Sequence, residues 1–198
     1  MRRTLALLLI LAALPGYCLP ARAADTASPH SETPLVIYYS RTGTSALMAH
    51  CLSEMLGCPR EEVRSKKDRF YLGAFTCVND QLFDRDDETE PSQTDLRLYD
   101  PLIIVTPIWI HKIASPMRTF LKRQDLHGRR VFVIAANQGN YSAEKDGQEL
   151  RAWLEGRGAK VLAVRGIMTK GAAWERLCRE MEALYKKEFS PTGITFGE

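Results

Sequence analysis

Residues 35–45, LVIYYSRTGTS, place an apolar run directly before a group of hydroxyl side chains around one glycine. The apolar part predicts a buried β-strand. Residues 46–56, ALMAHCLSEML, carry apolar side chains three and four positions apart and end at Gly57, which predicts a helix with a glycine stop. The stretch therefore predicts a strand, a hydroxyl-rich turn and a helix, in that order.

The predicted turn has the chemistry of a phosphate-binding site. Ser40, Thr42, Thr44 and Ser45 supply four hydroxyl groups beside backbone N–H groups and the positive end of a helix dipole. The alternative is an ordinary helix cap, because Ser and Thr are preferred cap residues and Gly is a common turn residue. This stretch alone leaves both interpretations open.

Two segments carry a family resemblance. Residues 40–45, SRTGTS, resemble the flavodoxin phosphate loop, whose pattern is Thr or Ser, any residue, Thr, Gly, any residue, Thr or Ser. Residues 99–109, YDPLIIVTPIW, resemble the strand and Pro-x-Trp loop that contacts the flavin ring in flavodoxin-like proteins. The resemblance implies a flavodoxin-like domain over residues 34–198 that binds flavin mononucleotide (FMN). Thr44 and Ser45, where relatives often have Asn and Thr, are departures from the pattern.

The rest of the chain alternates strands with helices. Apolar runs at 102–105, 131–136 and 161–164 predict buried strands, and a weaker strand is predicted at 61–65. Helical spacing follows Ser115-Pro116 and Ser142, and recurs in the last helix. The fold class is therefore α/β, a doubly wound five-stranded parallel sheet with helices on both faces. The resemblance implies the strand order 2-1-3-4-5.

In such a sheet, ligands bind beyond the carboxyl ends of the strands, where the strand order reverses. Three predicted loops meet there, at residues 40–45, 106–111 and 137–141. They offer phosphate donors, an aromatic plate and a polar edge, a combination that fits FMN. The predicted cofactor contacts are Ser40, Arg41, Thr42, Gly43, Thr44, Ser45, Pro107, Ile108, Trp109, Ile110, Asn137, Gln138, Gly139 and Tyr141.

The predicted roles of these residues differ. Trp109 is predicted to stack on the flavin ring and Tyr141 to cover its other face, while backbone groups of Ile108, Ile110 and Gly139 address its polar edge. The alternative for Trp109 is a core or surface aromatic residue. We predict no catalytic side chain, because the flavin itself performs the redox step. The sequence carries no metal-binding motif and no glycine-rich dinucleotide loop.

His111 also lies in these loops, and two interpretations of it stay open. It is either a solvent-exposed side chain beside Lys112 or a group that tunes or protonates the flavin.

The first residues predict export from the cytoplasm. A basic start at Arg2-Arg3, the apolar run of residues 5–14 and the small-x-small pattern of residues 21–23 predict a signal peptide over residues 1–23. A membrane anchor is the alternative, although the apolar run is short for a span. Residues 24–33 are predicted to be a flexible leader. The expected location is the periplasm or the medium, by the general secretory or the twin-arginine route.

Charge limits the partners of the exported protein. Cleavage after residue 23 removes three of the 27 basic residues and no acidic one, so 24 basic residues face 24 acidic ones. A neutral domain argues against nucleic acid as a partner. The expected partner is a redox protein or a small-molecule electron acceptor. Two alternatives stay open: an NAD(P)H-dependent quinone or flavin reductase of the same fold, and a flavin-free flavodoxin-like binding module.

Two further features are less specific. The exported chain has four cysteines, Cys51, Cys58, Cys77 and Cys178, which allow three disulfide pairings or none, as buried thiols. Residues 84–92, DRDDETEPS, are predicted to form a solvated acidic loop.

Overall fold

The computed structural model describes residues 32–67, 79–139 and 141–189. The predicted signal peptide and most of the predicted leader lie outside these ranges, as does Cys77. Among the helices within these ranges, none combines the length and the apolar character that crossing a membrane requires.

The centre of the fold is a parallel sheet. Its strands are β1 (Leu35–Tyr38), β2 (Arg60–Glu62), β3 (Leu102–Trp109), β4 (Lys112–Ile113), β5 (Arg130–Asn137) and β6 (Lys160–Met168). Five of them run parallel in the order β2-β1-β3-β5-β6, and β4 pairs antiparallel with the end of β3. With the two-residue β4 set aside, the order is 2-1-3-4-5, which confirms the predicted doubly wound topology.

Within the described ranges, four α-helices of eight residues or more follow the strands. They are α1 (Thr44–Leu56), α2 (Ser115–Lys122), α3 (Lys145–Glu155) and α4 (Trp174–Glu188). Gly57 ends α1 in the left-handed conformation, with φ of 60°, which confirms the predicted glycine stop. The first turn of α2 contains Pro116, where a missing N–H costs nothing.

The core has two halves, one on each face of the sheet. In β1, Leu35 and Ile37 pack with α2 and α3, whereas Val36 packs with α1 and α4. In β3, Leu102 and Ile104 face α2 and α3, whereas Ile103 and Val105 face α1 and α4. Because both faces are covered, β1 and residues 102–105 of β3 form the continuous apolar runs that the sequence presents.

The acidic segment at residues 84–92 differs from its prediction. The Asp87 side chain is fully buried, its Oδ2 accepts a hydrogen bond from the Ser65 hydroxyl at 2.9 Å, and its N–H donates to Thr119 Oγ1 at 2.8 Å. The segment also forms an isolated antiparallel bridge, Ser65 to Thr89. The prediction of a solvated loop is therefore wrong for its middle, because polar partners distant in sequence satisfy the buried carboxylate.

Candidate functional site

Three chain segments leave the sheet at its carboxyl edge side by side. They follow β1, β3 and β5, which are adjacent and parallel, so their ends lie along one rim. The segment after β1 is tied to its neighbour, because the Tyr39 N–H donates to the Val105 carbonyl at 3.1 Å. The predicted loops therefore come together where a doubly wound sheet binds its ligands.

The loop after β1 opens helix α1 without a side-chain cap. The cap position is Gly43, with φ of 89° and ψ of −20°, and no side chain bonds to the first-turn amides. The first turn also contains no acidic residue. Arg41, Thr42 and Gly43 are exposed. The ordinary capped junction is thus absent from this described loop, and the first-turn N–H groups and the helix dipole stay available to an anion.

The segment after β3 is a tight hairpin where a loop was predicted. Residues 107–109 belong to β3, and Trp109 pairs with Lys112 across a two-residue turn. The turn residues Ile110 and His111 have φ of 45° and 65°. Positive φ at both central positions matches a type I′ turn, which normally selects Asn and Gly. Ile in this conformation is an outlier, of a kind that clusters at functional sites.

The indole of Trp109 lies against the residue that precedes the hydroxyl loop. Its ring centroid is 5.7 Å from that of Tyr39, at an interplanar angle of 84°. Tyr39 is buried and Trp109 is half-buried. Ser40 follows Tyr39 directly, so the aromatic plate and the phosphate-type loop are neighbours on the same rim. An edge-to-face contact of this kind holds the indole in a defined orientation.

His111 connects the hairpin to helix α3. Its Nδ1 lies 3.0 Å from Oδ2 of Asp146, a side chain with only 1% of its surface exposed. The same Oδ2 accepts the Ser142 N–H at 2.8 Å. Because an ionised carboxylate only accepts, the contact assigns the proton of the His111 ring to Nδ1. His111 is therefore a solvent-exposed side chain whose Nδ1 is engaged by Asp146. Its role towards a flavin stays a prediction.

Asn137 shapes the segment after β5. Its Nδ2 donates to the Ile167 carbonyl at 3.1 Å, and its Oδ1 accepts the Gly139 N–H at 3.0 Å. The Thr169 N–H and hydroxyl both donate to the Asn137 carbonyl. Gln138 and Gly139 are exposed beyond it, and residue 140 lies outside the described part of the chain. Asn137 thus fixes the loop, and both ends of its side-chain amide are bonded to the backbone of the protein.

Tyr141 is directed into the fold. A Cβ built on Gly166 would lie 2.5 Å from its ring, and one on Gly147 would lie 2.8 Å from its hydroxyl. Two glycines therefore form the slot that accepts this ring. Burial, and next the charge of Asp146, raise the pKa of the Tyr141 hydroxyl, which is buried without a hydrogen-bond partner among the described residues. Its predicted contact with a flat ligand stays a prediction.

Solved structures resemble this chain at the level of the fold. No protein-family model and no curated protein sequence matches it. A flavoprotein from Lactobacillus acidophilus, solved in complex with FMN, superposes with a TM-score of 0.58 at 21% identity and covers 69% of this chain and 93% of its own. Two proteins assigned as flavoproteins, from Bacteroides eggerthii and Bacteroides uniformis, give TM-scores of 0.60 and 0.59 at 19% and 22% identity; they cover 79% and 76% of this chain and 97% of their own.

The fold is flavodoxin-like. The strand order β2-β1-β3-β5-β6 is the order of a flavodoxin-like sheet. The superpositions agree with it over most of the described chain. The flavodoxin-like fold that residues 40–45 and 99–109 predicted is therefore confirmed.

Within the flavodoxin-like framework, the predicted contacts differ in accessibility. Ile108 is buried in the core, so its side chain is closed to a ligand. The exposed members of the predicted set are Arg41, Thr42, Gly43, Ile110, Gln138 and Gly139; the half-buried ones are Ser40, Thr44, Pro107, Trp109 and Tyr141; the buried ones are Ser45, Ile108 and Asn137.

Two residues of the site carry no sequence signal of their role. Tyr39 reads as the last residue of an apolar run, yet its ring positions the indole of Trp109. Asp146 reads as an acidic residue at the start of a helix, where acids are common. Its bond to His111 spans 35 positions in sequence, so only the folded chain reveals it.

Proposed function

We propose that this protein is an FMN-binding flavodoxin-like protein that acts in electron transfer or oxidoreduction outside the cytoplasm. One observation carries the proposal. An uncapped helix start inside a hydroxyl-rich loop lies next to a half-buried indole on the carboxyl rim of the sheet. These two features suit the two ends of FMN, a phosphate dianion and a flat heterocycle. The Lactobacillus acidophilus flavoprotein, which shares the fold, was solved with FMN.

The phosphate end would be held by the loop after β1. The hydroxyls of Ser40, Thr42 and Thr44 and the first-turn amides of α1 supply neutral donors, and Arg41 supplies positive charge nearby. No carboxylate in the first turn competes for these donors. Gly43 provides the left-handed backbone that turns the loop into the helix.

The ring end would be held by the hairpin and by the loop after β5. Trp109 offers an aromatic face, and the backbone of Ile110 and the carbonyl of Gly139 offer polar groups at exposed positions. When bound, FMN supplies the electron chemistry, which the side chains here do not need to perform. The contacts of Tyr39 with Trp109 and of Asp146 with His111 keep the hairpin in place.

Titration of the purified protein with FMN tests the proposal. We expect one equivalent of FMN to bind, with a change in its visible spectrum and quenching of tryptophan fluorescence, because Trp109 would contact the ring. A protein that changes neither signal at any FMN concentration would refute the proposal and leave the flavin-free binding module.

Gly43→Ala tests the phosphate loop. The Cβ would meet nothing within 4 Å, so the substitution adds only the strain of a left-handed alanine, about 1–2 kcal/mol. We expect the dissociation constant for FMN to rise by about 5- to 30-fold. Affinity for riboflavin, which lacks the phosphate, should change little.

Gly57→Ala is the matched control for this variant. Gly57 ends the same helix, has φ of 60° and leaves open space for a Cβ, but it lies at the opposite end from the phosphate loop. The variant should lose similar stability and keep its FMN affinity. Equal losses of FMN affinity in the two variants would mean that the phosphate binds elsewhere.

A second candidate function is an NAD(P)H-dependent quinone or flavin reductase. A cavity of about 350 Å³ beside the hairpin favours it, since it could admit a small molecule. His111, Lys112, Arg118 and Trp153 are among its lining residues. Steady-state oxidation of NAD(P)H with a quinone and added FMN separates the two functions, because a carrier should turn over only with a protein partner.

A further inference from the structure

Two cysteines that are distant in sequence lie on the same face of the sheet. Cys51 lies in α1 and Cys178 lies in α4. The two helices pack together on the core half that contains Met48, Leu177 and Met181. Their side chains line the same cleft, and no disulfide joins them. The fold therefore brings together one pair among the four cysteines, Cys51 and Cys178.

The pair is also accessible from outside. Cys51 and Cys178 line one open cleft of about 490 Å³, together with Met55, Arg179 and Tyr185. Each cysteine is half-buried. An oxidant can therefore reach the sulfurs without any opening of the core.

We propose that Cys51 and Cys178 are a disulfide site, oxidised by thiol–disulfide exchange with an external disulfide. In the first step the Cys178 thiolate attacks one sulfur of that disulfide, forms a mixed disulfide and releases one thiolate. In the second step the Cys51 sulfur attacks the Cys178 sulfur and releases the other. The cysteine pair loses two electrons and two protons, and the oxidant leaves as two thiols. This proposal does not depend on FMN binding.

The order of attack follows from the environment of Cys51. Burial, and next the hydrogen bond to Cys178 and its charge, raise the pKa of Cys51 to about 11. Cys51 therefore keeps its proton at neutral pH, and a protonated thiol is a poor nucleophile. We therefore assign the first attack to Cys178. The cleft around it also contains Arg179, Lys186 and Glu182, and Lys186 donates to Glu182 Oε1 at 2.7 Å.

Cys58 is the internal control. It follows the C-terminal glycine of α1, and its thiol interacts with the backbone of Val36. Burial raises its pKa to about 11 as well. Its N–H donates to the Ser53 carbonyl, and its side chain packs against the core half that α1 and α4 cover, outside the cleft that Cys51 and Cys178 line. We therefore expect Cys58 to stay reduced when Cys51 and Cys178 pair.

The bond would join the first and last helices that the structure describes, α1 and α4. It would close a loop of roughly 125 residues that contains nearly the whole sheet, and long loops gain most from cross-linking. We expect the Tm of the oxidised protein to exceed that of the reduced protein by on the order of 10 °C. Such a bond persists in oxidising compartments, and the predicted signal peptide indicates one.

The experiment treats the purified, reduced protein with oxidised glutathione, without added flavin. Peptide mapping by mass spectrometry should find Cys51 linked to Cys178, Cys58 unmodified, and the Tm raised. The Cys58→Ser variant should behave in the same way. A dominant link between other cysteines, or a Cys51–Cys178 link that leaves the Tm unchanged, would overturn the proposal.

Single-cysteine variants test the order of attack. Cys51→Ser should accumulate a glutathione adduct on Cys178, and Cys178→Ser should form one on Cys51 at least tenfold more slowly at neutral pH. The opposite order would overturn the assigned first step. A variant that fails to fold is recognised by its circular dichroism, and the rate is then measured in the wild-type protein from the site of the first transient adduct.

Discussion

Replacing Trp109 with alanine is expected to weaken FMN binding by about 30-fold, or ~2 kcal/mol. The indole is half-buried against Tyr39 and presents the largest aromatic face on the carboxyl rim that the structure describes. Its removal takes away both a stacking surface and the packing that orients the hairpin. The effect should appear equally for FMN and riboflavin, because the ring and not the phosphate loses its contact. Isothermal titration with both ligands measures it.

Two control variants separate stacking from general damage. Trp109→Phe keeps an aromatic face and should recover part of the affinity. Trp174→Ala removes a tryptophan that is 67% exposed at the start of α4, and it should leave flavin affinity unchanged. If Trp109→Ala binds both flavins as tightly as the wild-type protein does, Trp109 is a structural residue and the ring site lies elsewhere.

Gly43→Ala and Trp109→Ala together test whether one ligand spans both sites. The glycine variant should affect FMN and spare riboflavin, whereas the tryptophan variant should affect both. This difference is what a single ligand with a phosphate end and a ring end produces. If the two residues belonged to separate ligand sites, only one of the two variants would weaken FMN binding.

The sequence predicted the sheet well because burial on both faces leaves an unmistakable pattern. β1, β3 and β5 contain continuous apolar runs, α1, α2 and α4 carry apolar stripes, and α1 ends at Gly57 as predicted. The turn after β1 was predicted from its hydroxyls and glycine. The structure adds that the cap is Gly43 and not a Ser or Thr side chain, a distinction that depends on backbone torsion angles.

The parts that sequence reasoning missed depend on unusual torsion angles or on distant partners. The β3–β4 hairpin turns at Ile110 and His111, which lack the Asn-Gly signal of a two-residue turn. Asp87 was predicted to be solvated because its neighbours in sequence are charged. Its partners are instead Ser65, which follows β2, and Thr119 of α2. The contact of Cys51 with Cys178 spans most of the domain. No local pattern encodes such pairs.

Arg118→Ala should lower the free energy of unfolding by about 2–4 kcal/mol. Arg118 of α2 is only 6% exposed, and its guanidinium donates to Gln81 Oε1 at 3.1 Å, Asp84 Oδ1 at 3.1 Å and the Arg85 carbonyl at 2.9 Å. Truncation leaves the buried Gln81 Oε1 without this donor and leaves a void where the side chain packed. Urea denaturation followed by circular dichroism measures the loss.

Arg97→Ala is the matched comparison, because Arg97 also bonds to an aspartate through two nitrogens. It lies on the surface, with 80% of its side chain exposed, and both of these bonds go to Asp95. Water replaces such a pair readily, so the urea midpoint should not move measurably. Arg118→Lys should recover only part of the loss, since an ammonium cannot reproduce the three-way fork. Equal stability of the Arg118→Ala and wild-type proteins would contradict the role assigned to this guanidinium.

The loss at Arg118 should also reach the flavin site. Gln81, which Arg118 holds, donates its Nε2 to the Ile113 carbonyl at 2.8 Å, and Ile113 is the β4 partner of Ile108. Through Ile113, this network supports the β3–β4 hairpin that carries Trp109. We expect Arg118→Ala to weaken FMN and riboflavin binding by a few-fold, less than Trp109→Ala does, because it loosens the hairpin without removing the indole. A variant that loses stability but keeps wild-type flavin affinity would show that the hairpin holds its shape without this support.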